Sequence, residues 1–152
     1  MPGLEDLYRE IILDHYRNPR NRGELPVPPA HRAEGFNPLC GDKATVYLKV
    51  EDDVVKSVTF KGAGCSISTA SASMMTEALA GKSRTEAEAL FQRFHELLTS
   101  DPSKAAENAA PELGKLAVFS GVCEFPVRVK CASLPWHTFR AALRGAGQAK
   151  TE

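Results

Sequence analysis

Residues 45–60 constrain the fold of this chain more than any other stretch. Val46, Leu48 and Val50 alternate with Tyr47 and Lys49. Glu51-Asp52-Asp53 interrupts the run, and Val54, Val58 and Phe60 then share one face of a second segment. Side chains of a strand alternate between faces, so this pattern predicts a β-hairpin with one buried face. A face of that kind must be covered, and the rest of the chain supplies helices to do it. Leu4, Leu7, Tyr8, Ile11, Ile12 and Tyr16 recur at helical spacing and predict an amphipathic helix ending before Pro19. Residues 18–29 hold four prolines and read as an extended connection. Residues 32–36 form a short strand candidate.

Helical patterns follow at 65–79 and 83–98, the latter with Leu90, Phe91, Phe94, Leu97 and Leu98 as its buried stripe. Ser83 with Glu86, or Thr85 with Glu88, would form a capping box. A polar, alanine-rich linker at 100–110 leads to a helix from Pro111 to about Ser120. Residues 124–130 read as short and irregular or helical, and Cys131 is expected to open a last helix ending near Gly145. No internal repeat is evident. The expected class is α+β: a small antiparallel sheet of about three strands covered by helices, in a single domain spanning 1–152.

Charge excludes some functions. The 152 residues hold 19 Lys plus Arg and 19 Asp plus Glu, a formal net charge of zero. Broad nucleic-acid binding rests on neutralising phosphates, so no nucleic-acid partner is expected. No signal peptide and no apolar run of the ~20 residues that cross a bilayer is seen, so no membrane partner and a soluble, cytoplasmic protein are expected. In a reducing compartment, cysteines serve as metal ligands, nucleophiles or core residues more often than as disulfides.

Four cysteines occur, at 40, 65, 123 and 131, with no CxxC pair. Cys40 lies in FNPLCGD (36–42), where Pro38 stiffens the approach, Gly41 permits unusual backbone angles and Asp42 brings a carboxylate near the thiol. Cys65 follows Gly62-Ala63-Gly64 at a predicted helix start, where unpaired N–H groups favour thiolate. The helix behind it is small and polar, with Ser66, Ser68, Thr69, Ser71 and Ser73. Cys131, preceded by Arg128 and Lys130, is expected in a similar setting. Three sulfurs and one carboxylate at element ends fit a tetrahedral zinc site or an iron–sulfur cluster; three semi-buried structural cysteines are the other reading.

Two apparent nucleotide loops fail. A dinucleotide loop at Gly62 would need glycine where Ile67 stands, and a P-loop ending Gly81-Lys82-Ser83 would need glycine at Thr76. The four histidines, 15, 31, 95 and 137, lack short metal-like spacing to a cysteine. His15 and His95 are expected at the surface or boundary. His137 lies roughly 240° around a helix from Cys131. Cys123 is expected to pack in the core.

Four stretches together resemble the IscU-like iron–sulfur cluster assembly proteins: YREIILDHYRNPRN (8–21), NPLCGD (37–42), FKGAGCSISTASASMM (60–75) and RVKCASLPWHTF (128–139). The resemblance implies metal binding by Cys40, Asp42, Cys65 and Cys131. Lys130 stands where typical IscU scaffolds carry histidine, and a helical insertion occupies about 81–117. Both features are similar to the SufU branch, whose members bind zinc and accept sulfur from a pyridoxal-phosphate (PLP) cysteine desulfurase. The implied function is therefore a zinc-dependent persulfide carrier that passes sulfur to downstream assembly proteins, with Cys40 as acceptor. Arg128 is a candidate for docking the desulfurase or guiding the sulfur, a surface salt bridge being the other reading. A scaffold building a [2Fe–2S] cluster for apo-proteins is the alternative, and a transient cluster would then occupy the same residues.

Overall fold

The computed structural model describes residues 2–27, 29–38, 41–62, 64–99, 111–145 and 148–150. Helix α1 (Pro2–Arg17) precedes strands β1 (His31–Asn37), β2 (Asp42–Glu51) and β3 (Val54–Lys61). Helices α2 (Ser66–Leu79) and α3 (Arg84–Thr99), a 3-10 helix (Pro111–Glu124), α4 (Pro126–Leu143) and β4 (Gln148–Lys150) complete the order. The sheet runs β3-β2-β1-β4.

The expected hairpin is β2–β3, paired antiparallel from Thr45 opposite Lys61 to Glu51 opposite Val54. Asp52 and Asp53 turn the chain with φ of 52° and 64°. Two left-handed residues give a turn whose twist matches that of the strands, and aspartate tolerates that region. Val46 and Leu48 are fully buried beneath the helices. Tyr47, on the opposite face, is also buried, although alternation puts it outside. It lies opposite Arg32 on β1 and interacts with the Lys61 ammonium, and long side chains of this kind can shield a ring with their aliphatic stems. β1 is the third antiparallel strand. β4 adds a three-residue parallel strand on its far side, too short to leave a pattern in the sequence.

The proline-rich connection after α1 straps the open edge of β3. Gly23 N–H donates to the Phe60 carbonyl at 2.9 Å, and Phe60 N–H donates to the Asn21 carbonyl at 3.2 Å. This closes the Phe60 end of the edge to pairing with another chain.

The buried stripe of α3 packs on α4 and the 3-10 helix. Phe94 stacks on Trp136 with ring centroids 4.6 Å apart and meets Phe119 edge-on at 5.6 Å. These side chains share one hydrophobic cluster with the sheet. The capping box at α3 is the Ser83–Glu86 pair: Glu86 N–H donates to Ser83 Oγ, and Ser83 N–H to Glu86 Oε1, each at 3.1 Å. The expected α-helix at 111–120 is a 3-10 helix extending to Glu124, broken at Gly114 with φ 52°. Leu113, Leu116, Phe119 and Val122 are all buried. Past the break, the spacing of three in Leu116, Phe119 and Val122 aligns them on one face at 3.0 residues per turn, a period the 3.6 reading misses.

The polar helix α2 is largely buried, and the hydroxyls of Ser71, Ser73 and Thr76 are structural. Ser73 Oγ accepts from Arg20 N–H at 2.9 Å and bonds His15 Nδ1 at 2.7 Å, and Asn21 Nδ2 donates to Thr76 Oγ1 at 3.1 Å. His15 is thus buried between α1 and α2 rather than at the surface. Small side chains let neighbours approach α2 on several sides, and the Ser71, Ser73 and Thr76 hydroxyls satisfy groups that burial would otherwise strand.

Candidate metal centre

Three of the four motif residues meet at one end of the sheet. Asp42 is the first residue of β2, Cys65 is the N-cap of α2, and Cys131 lies in the second turn of α4. Their ligand atoms all fall within 4.8 Å of one another. Cys40, two residues before Asp42, lies outside the described residues, as does the side chain of Cys123.

Glycine makes the approach of β3 and α2 to β2 feasible. Gly62 has φ 148°, and a Cβ there would sit 2.5 Å from the Lys43 carbonyl oxygen. A Cβ on Gly64 would stand 3.1 Å from Ser68 Oγ and 3.6 Å from Asp42 Cγ. Gly62 and Gly64 therefore allow Cys65 to be laid against Asp42. Cys65 N–H donates to Asp42 Oδ1 at 3.1 Å. The Cys65 sulfur in turn accepts from Ser68 N–H at 3.4 Å, as an N-cap does.

Asp42 Oδ2 is buried and has no hydrogen-bond partner among the described residues. An unmatched buried carboxylate oxygen is costly unless a cation meets it. Tetrahedral zinc with Zn–S of ~2.3 Å sets sulfurs about 3.8 Å apart. Atoms already within 4.8 Å need to close by only about 1 Å to reach that geometry. The donor set and the orphaned oxygen fit a tetrahedral divalent metal.

The Cys65 thiol is not activated as the sequence suggests. Burial pushes the Cys65 thiol above its usual pKa, and the Asp42 charge adds to this. The Ser68 N–H and a hydrogen bond with the Cys131 thiol act in the other direction without prevailing. Cys131 does not open a helix. Pro126 occupies the first turn of α4 with Phe125 as N-cap, so α4 begins five residues earlier than expected. The helix-terminus argument for Cys131 therefore fails; the residue is buried in the helix body.

His137 faces away from the site, edge-on to Phe91 at 5.3 Å and to His95 at 5.9 Å. Arg128 is exposed, its guanidinium 5.0 Å from the Phe125 ring centroid rather than in an ion pair with a described residue. Phe125 and Val127, within two turns of Cys131, are about half exposed. Phe36, opposite Lys43 on the neighbouring strand, is also exposed. Exposed apolar and cationic side chains thus lie on the elements that carry Asp42 and Cys131 or pair with them, a signal that sequence alone leaves unresolved because exposure is not visible there.

Residues 7–132 match the NifU-like N terminal domain. The chain belongs to that family. It is 37% identical over 147 residues to the iron–sulfur cluster assembly scaffold protein IscU of Streptococcus pyogenes serotype M1, covering 97% of this chain and 89% of that protein. It is 41% identical over 133 residues to the zinc-dependent sulfurtransferase SufU of Bacillus subtilis, covering 88% and 86%. Among solved structures, FiSufU of Fervidobacterium islandicum AW-1, proposed as an iron–sulfur cluster assembly scaffold protein for the SUF system, superposes with a TM-score of 0.73. That match has 32% identity over 88% of this chain and 94% of that one. The IscU-like resemblance and the α+β fold expected from the motifs are both borne out.

Proposed function

We propose that this chain is a zinc-binding sulfur acceptor for iron–sulfur cluster assembly, acting as a single domain in the cytoplasm. The observation that carries the reading is the meeting of Asp42, Cys65 and Cys131, with Asp42 Oδ2 buried and unmatched among the described residues. Asp42, Cys65 and Cys131 would hold the zinc, with Cys40 as the fourth ligand. Zinc supplies a charge that keeps thiols deprotonated and restrains their oxidation.

The partner is a PLP-dependent cysteine desulfurase carrying a persulfide. The exposed Phe36, Phe125 and Val127 and the cation of Arg128 support docking of that partner over the thiols. The Cys40 thiolate attacks the terminal sulfur of the persulfide. A new S–S bond forms on Cys40, the old one breaks, and its electron pair leaves on the desulfurase cysteine. Downstream assembly proteins then take the sulfur.

The test begins with zinc, iron and acid-labile sulfide in protein purified without oxygen, followed by incubation with a cysteine desulfurase and cysteine. The reading expects one zinc per chain and a gain of about 32 Da on Cys40, the mass of one persulfide sulfur. Iron and sulfide in equal amounts, with no mass gain on Cys40, would instead identify a scaffold for a [2Fe–2S] cluster.

A further inference from the structure

The two described thiols come from different helices, so their separation depends on how α2 and α4 dock. One buried contact between those helices adjoins Cys131 and lies six residues along α2 from Cys65. Ser71, fully buried on α2, donates its hydroxyl to the Ala132 carbonyl at 2.6 Å. Ala132 follows Cys131 directly. Ser71 Oγ also accepts from Trp136 Nε1 at 3.1 Å. The hydroxyl therefore both donates to and accepts from α4.

The contact falls where α4 is weakest. Pro135 lies inside that helix. It brings no N–H to the carbonyl four residues earlier, that of Cys131, and its ring crowds the same turn. A helix bearing a proline can bend at that point, and bending there would move the Cys131 sulfur. Ser71 ties the turn carrying Cys131 to the helix capped by Cys65.

We propose that Ser71 is the positioning residue of the thiol pair: its hydrogen bond to the Ala132 carbonyl sets the distance between Cys65 and Cys131. The inference deepens the metal-site reading and rests on it for zinc, but the spacing itself can be tested without metal. Outer contacts that orient ligands commonly govern affinity by about 10–100-fold.

The probe is phenylarsine oxide, whose arsenic forms two As–S bonds to two adjacent thiols while its oxygen leaves as water. The assay uses metal-free protein with Cys40→Ser and Cys123→Ser, so that only Cys65 and Cys131 remain. Removing the Ser71 hydroxyl as Ser71→Ala leaves no appreciable cavity, and circular dichroism reports that each variant is folded. Ser71→Ala is expected to weaken arsenical capture about tenfold. Trp136→Phe deletes the other hydrogen bond to Ser71 but keeps the one to Ala132. It is expected to hold capture within about twofold, although its lost core packing lowers stability more. Equal capture by Ser71→Ala and its parent, or equal losses in both variants, overturns the inference. Zinc titration of the parent chain with all four cysteines runs alongside. Failure to bind zinc there sinks the proposed function and leaves the spacing result standing on the arsenical.

Discussion

Replacing Asp42 with asparagine separates a metal ligand from a structural cap. The substitution is isosteric, and the amide oxygen can still accept from Cys65 N–H as Oδ1 does at 3.1 Å. What changes is Oδ2, a buried carboxylate oxygen without a partner among the described residues. An unsatisfied buried polar atom costs about 1–3 kcal/mol, and more when it is charged. Removing the charge is therefore expected to stabilise the metal-free protein by about 1 kcal/mol, a rise of roughly 2–4 °C in Tm for a chain of this size. Zinc binding moves the other way. Losing a ligand is expected to cost at least the ~100-fold upper range seen for ligand-orienting groups.

At zinc about 100 times the wild-type Kd, binding stabilises the native state by about 2.7 kcal/mol; a 100-fold loss leaves about 0.4 kcal/mol. The zinc-induced rise in Tm should thus fall from roughly 5–10 °C to about 1 °C. Thermal unfolding of both proteins, with chelator and with buffered zinc, measures all four values. An Asp42→Asn protein that is less stable without metal and keeps the full zinc-induced rise would refute the reasoning and make Asp42 a cap for the Cys65 loop.

Gly35→Ala tests the packing that seats α4 on the sheet. Its Cβ would fall 1.9 Å from Thr138 Oγ1 and 3.1 Å from Leu134 Cδ1. β1 is paired on both sides and has no room to retreat, so a loss of at least about 3 kcal/mol is expected, with partial recovery in Gly35→Ala/Thr138→Ala. Chemical denaturation showing independent, additive effects would contradict this. Acid should destabilise the metal-free protein through two histidines. Burial, the largest cause for each, depresses both His15, beside the Arg20 cation, and His137, beside His95 and Arg140. The unfolded state therefore takes up protons first as pH falls below about 6.5, and stability present above that pH is lost below it. His137→Gln is expected to flatten the decline between pH 7 and 5, and a profile parallel to wild type would remove His137 from the account.

The elements legible from sequence are those whose signal is local. The period-two runs around Asp52-Asp53, the capping residues Ser83 and Glu86 and the stripe of α3 each carry their own geometry. Reading fails where a second period or a third partner enters. The 3-10 helix hides in a spacing of three, β4 has only three residues, and Pro126 starts α4 ahead of Cys131. The hydroxyls of α2 read as chemistry in sequence because their partners, His15, Arg20, Ala132 and Trp136, lie more than fifty residues away.

For the site, the sequence by itself determined which residue types are available: Cys40, Asp42, Cys65 and Cys131, in motifs that carry a family resemblance. Only the tertiary structure decided that the ligand atoms of Asp42, Cys65 and Cys131 come within 4.8 Å of one another, that one carboxylate oxygen is buried without a described partner, and that desolvation raises the Cys65 thiol above its usual pKa. The division has a physical cause. Residue identity and local period are written along the chain. Distance, desolvation and field at a site depend on elements brought together from 23 and more residues apart, and these exist only once the core has packed.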